Sequence, residues 1–101
     1  MGAFIYGGST TIPIEDRALA HLQLVVYAKL RAHESFAFTW KDEQGVGDGH
    51  GSVWISPGVP IQFKYAGSRD PSVNREWLRV LRDLANQPTG LRVVPEPTGK
   101  D

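Results

Sequence analysis

Apolar and polar positions alternate from the start of the chain. Phe4 and Tyr6 keep a period of two, Gly7-Gly8 interrupts it, and Ile12 and Ile14 resume it, which predicts a hairpin over residues 4–15. Pro13 cannot donate a ladder hydrogen bond, so the second strand belongs at a sheet edge. The pattern then changes period. Residues 17–33 are leucine-rich and free of glycine and proline, a helix for which Asp16 is the expected N-cap. Three strands follow, "FAFTWK", "SVWIS" and "IQFKY". Phe36, Phe38 and Trp40 share one face of the first, and Ile61, Phe63 and Tyr65 one face of the third. Such alternation marks a sheet buried on one side and favours antiparallel pairing. Pro57-Gly58 suits a type II turn between the second and third of these strands. Asp70-Pro71 supplies a cap and first position for a second helix, with Ser72 as the alternative cap. "NQPTG" ends that helix, "LRVV" makes a last strand, and the polar, proline-rich residues 95–101 are expected as a frayed tail.

The order β-β-α-β-β-β-α-β over a single domain, residues 1–94, predicts an α+β fold. Its simplest form is a two-layer sandwich with both helices on one face of a mostly antiparallel sheet.

The helices carry more than a core stripe. In the first, Leu19, Leu22, Val26 and Leu30 line one side, with Ala18 and Val25 alongside. Ala20, Leu24 and Tyr27, ending at Arg31, form a second apolar ridge turned away from it. A domain of 101 residues has little protein left to cover that ridge. Its composition, small residue, Leu, Tyr and Arg, suits an interface; the alternative is that Leu24 and Tyr27 rest under the neighbouring hairpin. In the second helix Trp77, Leu78, Leu81, Leu84 and Ala85 face inward while Arg75, Arg79 and Arg82 face out. Glu76 and Asp83 stand at pairing distance from Arg79, so the row reads as a self-paired wet face. Trp54 falls opposite Val53 and Ile55, on the sheet face that the helices leave open.

Charge narrows the choice of function. Lys+Arg and Asp+Glu both number 11, and no segment holds a basic excess of the kind that phosphate neutralisation requires. The absence of cysteine removes disulfides, thiol catalysis and thiolate metal sites. The start "MGAFIYGGST" has neither a signal-peptide pattern nor Ser or Thr at position 6, and no apolar run reaches the ~18 residues that span a bilayer. A cytoplasmic protein without a membrane partner is expected.

Candidate chemistry is sparse. Glycines 45, 47, 49 and 51 alternate in "QGVGDGHGS", but no Lys-Ser/Thr or helix follows as a phosphate loop demands. Asp48 and His50, with Asp42 and Glu43 nearby, are loop residues without a held ligand geometry. His21 is expected on the outer half of the first helix, His33 at its end and His50 on the loop, so the histidines form no constellation. No catalytic, metal or cofactor residues are assigned.

"YGGSTTIPIEDRALAHLQLVV", "ESFAFTWKD", "GSVWISPGVPIQFKYAGSR" and "PSVNREWLRVLRDLANQPTGLRVVPEP" together resemble a family of short actinobacterial proteins of uncharacterised function, over nearly the whole chain. Members often carry the name "ATP-dependent DNA ligase". Such ligases are adenylylated on the lysine of a Lys-x-Asp-Gly motif, whereas the lysines here read Lys29-Leu-Arg-Ala, Lys41-Asp-Glu-Gln, Lys64-Tyr-Ala-Gly and Lys100-Asp. A nucleotidyltransferase domain is also far longer than this chain. The resemblance implies a lineage and no catalytic residues.

Two readings from different classes follow. One is a non-enzymatic interaction module that docks on a protein partner or a second copy through Ala20, Leu24, Tyr27 and Arg31. The other is an accessory nucleic-acid binder in DNA ligation or repair, using Arg69, Arg75, Arg79 and Arg82 with Trp54 stacking on bases. A ligand binder or enzyme centred on the glycine loop, residues 45–51, is a third.

Overall fold

A computed structural model describes residues 1–41 and 50–98. Its elements are β1 (Gly2–Tyr6), β2 (Thr10–Ile14), α1 (Asp16–Arg31), β3 (Phe36–Lys41), β4 (His50–Ile55), β5 (Ile61–Lys64), α2 (Arg75–Ala85) and β6 (Leu91–Arg92). The order is the expected one, and the class is α+β.

The strands divide into two small sheets, β2-β1-β5 and β4-β3-β6. Pairing is antiparallel throughout except for β3 with β6. Gly7 and Gly8 both take positive φ, 68° and 80°, and close the β1–β2 hairpin with Tyr6 opposite Thr10. Pro13 lies on β2, an edge strand, where its missing N–H costs no ladder bond. Gly58, at φ 94°, forms the turn after Pro57, with the Val59 N–H donating to the Ser56 carbonyl at 3.5 Å. That turn does not return β5 to β4. It carries the chain across to β1, where Phe63 stands opposite Phe4. The sequence repeats an apolar alternation in both strands without saying which neighbour each takes, so one sheet becomes two.

Aromatic contacts close the seam between them. Phe4 meets Phe38 of the other sheet edge-on with ring centres 5.7 Å apart, while Phe63, beside it in its own sheet, lies at 5.0 Å. The Tyr6 hydroxyl donates to the Trp54 carbonyl at 2.7 Å and accepts from the Ser56 N–H at 3.3 Å. Leu19, Leu22, Val25 and Val26 of α1 and Trp77, Leu81 and Ala85 of α2 are buried in one core cluster with residues from both sheets.

Both helices start differently from the sequence expectation. Asp16 does not cap α1. Its carboxylate accepts from the Ala66 N–H at 3.1 Å and the Gly67 N–H at 2.8 Å, which ties the helix start to the chain after β5. The Gly67 donor, then Ala66, holds the Asp16 carboxyl below its ordinary range. Glu15 occupies the cap position without a side-chain bond. α1 also ends at Arg31, short of residue 33. His33 adopts φ 59°, its N–H reaching the Leu30 carbonyl and the Glu34 N–H the Lys29 carbonyl, a Schellman ending with histidine where glycine is usual. α2 is capped by neither Asp70 nor Ser72. Asn74 caps it, its Oδ1 accepting from the Glu76 N–H at 3.0 Å and the Trp77 N–H at 3.2 Å.

Candidate interaction surface

The two faces of α1 separate as the periodicity predicted. Leu19, Leu22 and Val26 are fully buried, while Leu24 is 45% exposed and Tyr27 39%. Ala20, at the N-terminal end of the ridge, is half-buried and Arg31 is exposed. Two contacts fix this ridge over β5. The Tyr27 ring stands edge-on to Phe63 with centres 5.5 Å apart, and the Tyr65 hydroxyl donates to Gln23 Oε1 at 2.7 Å. Burial pushes the Tyr65 hydroxyl above its ordinary pKa. The ridge therefore sits on a firm base, with its outer surface open.

Behind the ridge lies a polar junction that the sequence reading missed. His21 was expected on the outer half of α1, yet it is 0% exposed. α2's first turn covers it: the Trp77 ring lies 4.6 Å from the imidazole. The Asn74 N–H donates to His21 Nε2 at 2.8 Å, so Nε2 carries no proton and Nδ1–H donates to the Arg17 carbonyl at 2.8 Å. Arg17 in turn grips Glu96 with two parallel bonds, Nε to Oε1 at 2.8 Å and Nη2 to Oε2 at 2.6 Å. The Asn74 amide donates to the same carboxylate at 2.8 Å. Arg17 first, and Asn74 second, hold the Glu96 carboxyl at about 2. Trp77 Nε1 donates to the Val94 carbonyl at 3.1 Å. Residues 95–98 form no regular element, but ion pairing fixes Glu96 where apolar packing could not; residues 99–101 lie outside the described residues. No local signal announces this junction, because its partners stand 53 and 79 positions apart.

The nucleic-acid candidates are scattered. Arg69 is exposed in the segment before α2, and Arg75, Arg79 and Arg82 are exposed along it. Arg79 pairs with Glu76 and with Asp83, the latter at 3.3 Å. Trp54 is 63% exposed and borders an open groove of about 290 Å³ with Lys29, Ala85, Asn86 and Pro88. That groove is at the C-terminal end of α2, about 15 Å along the helix from Arg75 at 1.5 Å per residue. The stacking surface and the start of the arginine row thus lie at opposite ends of one helix.

His50, which is exposed, and Gly51 open β4; residues 45–49 of the glycine loop, with Asp42 and Glu43 before it, lie outside the described residues. Among the described residues no group of three or more His, Asp or Glu side chains could hold a metal, and no helix is long and apolar enough to cross a membrane.

A family model described as "Domain of unknown function (DUF7882)" matches residues 1–96. No curated protein and no solved structure matches the chain.

Proposed function

The chain belongs to the DUF7882 family, and for this member we propose the role of a protein-interaction module that pairs with a second copy of itself through the outer ridge of α1. One observation carries the reading: Leu24 and Tyr27 stand side by side, each about two-fifths exposed, on a helix whose opposite face is buried in the core. A twofold pair lets one such patch cover itself, and twofold dimers are the commonest soluble assemblies. Ala20 permits close approach and Arg31 reaches an acceptor at the rim. Full burial of a leucine contributes about 1.5–3 kcal/mol. With nearly half of Leu24 still open, its share is about 1 kcal/mol per subunit.

The module is read as cytoplasmic and as acting through binding rather than catalysis. The competing reading, an accessory nucleic-acid binder using Arg69, Arg75, Arg79, Arg82 and Trp54, is supported less, because Arg79 is neutralised by its own neighbours.

The test is sedimentation of the wild type against Leu24→Glu, with circular dichroism as the folding control. Dimerisation of the wild type and a folded, monomeric variant are expected. A wild type that stays monomeric at high micromolar concentration removes self-pairing. A variant that unfolds shows Leu24 to be core.

A further inference from the structure

Among the described residues the two sheets present four edges, and three are interrupted or short. β2 carries Pro13, which has no N–H to offer. β6 is two residues long. On β4, the Tyr6 hydroxyl already occupies the Trp54 carbonyl. β5 remains: it pairs with β1 on one side and, among the described residues, meets no strand on the other.

The register identifies which of its backbone groups face outward. The Gly7 N–H donates to the Pro60 carbonyl at 2.8 Å, so Pro60 turns its carbonyl toward β1. Direction alternates along a strand, hence Gln62 and Lys64, opposite Ile5 and Ala3, also turn inward. The N–H and C=O groups of Ile61 and Phe63 point to the open side. The same Phe63 carries Tyr27 edge-on to its ring, so the open edge and the α1 ridge are neighbours on one surface.

We infer that β5 pairs antiparallel with β5 of a second copy about a twofold axis at Phe63, joining two three-stranded sheets into one of six and bringing the two α1 ridges together. The inference rests on the self-pairing proposed above and supplies its strand and register. A second copy is the fitting occupant because the edge is complementary to itself. Phe63 opposite its own counterpart exchanges two outward hydrogen bonds, and Ile61 stands opposite Tyr65 of the second copy, the residue just past β5. Odd-numbered side chains then share the helix-covered face on both copies. On the other face Gln62 stands opposite Lys64 of the second copy, so the two lysines do not confront each other. Strand pairing and ridge burial become one event.

Gln62 is exposed and turned from the core, which makes it the probe. Gln62→Glu places a carboxylate opposite Lys64 of the second copy, and Gln62→Lys places a like charge there. Each change acts twice per dimer, so the dissociation constant is expected to fall about 2- to 30-fold for the first and rise as much for the second. The amide protons of Ile61 and Phe63 should also exchange more slowly at concentrations where the dimer forms. If Leu24→Glu dissociates the dimer but both Gln62 variants match the wild type, the strand pairing is overturned and the ridge reading stands. If Leu24→Glu leaves the dimer intact while the Gln62 variants move it as expected, the strand stands without the ridge. Weaker pairing with Gln62→Glu overturns the Phe63-centred register, since a Gln62-centred one sets two carboxylates face to face. A wild type that never dimerises overturns both proposals.

Discussion

Replacing Asn74 with alanine should loosen two segments at once, α2 and the C-terminal segment at Glu96. The side chain caps α2 through Oδ1, accepting from the Glu76 and Trp77 N–H groups, and its amide holds Glu96 at 2.8 Å. Loss of an asparagine cap costs about 1 kcal/mol, within a range of about 0.5–2. In a domain of this size each kcal/mol lowers the midpoint of thermal unfolding by about 4–8 °C, so Asn74→Ala should melt about 4–8 °C below the wild type on the cap alone. Two further variants separate the roles. Asn74→Ser keeps an oxygen for the cap and gives up the amide donor, and should lie between alanine and wild type. Asn74→Asp keeps the cap and places a charge that the helix N-terminus favours, but sets a carboxylate against Glu96. It should be weaker than the serine variant at neutral pH, with the gap closing in acid. Urea and thermal unfolding followed by circular dichroism read all three. Equal stability of alanine and wild type, or a serine variant no better than alanine, would refute the assignment of the cap.

The Arg17–Glu96 clasp gives a pH dependence. The Glu96 carboxyl is lowered from 4.5 to about 2 in the folded protein, so its contribution is fully present above about pH 4.5 and is lost as pH falls through about 2. Glu96→Gln should therefore be less stable at neutral pH and flatten the acid limb between those values; an unchanged limb in urea titrations would show that the ionised clasp contributes nothing. For the arginine row, fluorescence anisotropy at about 0.15 M salt should find DNA binding no tighter than the nonspecific range of about 10⁻⁴–10⁻⁶ M. Much tighter binding that disappears with Arg75→Ala plus Arg79→Ala would favour the nucleic-acid reading over the protein one.

Local chemistry made the elements readable. A period of two or 3.6 depends only on residues a few positions apart, and so do Pro13's place on an edge, the Pro57-Gly58 turn and the pairing of Arg79 with Glu76 and Asp83. The ridge of Leu24 and Tyr27 was legible for the same reason, because the outward face of a helix follows from the position of its core stripe. Tertiary structure decided what lies against what. The wheel placed His21 on the outer half of α1, and only the arrival of α2's first turn, 53 residues on, buries it and fixes its proton on Nδ1. Asp16 was read as a local cap and Glu96 as part of a tail, yet the donors to both carboxylates come from distant segments whose approach no spacing encodes. The division into two sheets has the same origin. Apolar alternation in β4 and β5 states that each strand needs a neighbour, and leaves the choice to tertiary packing, in which Phe63 stands beside Phe4 on β1 and Phe4 meets Phe38 of the other sheet.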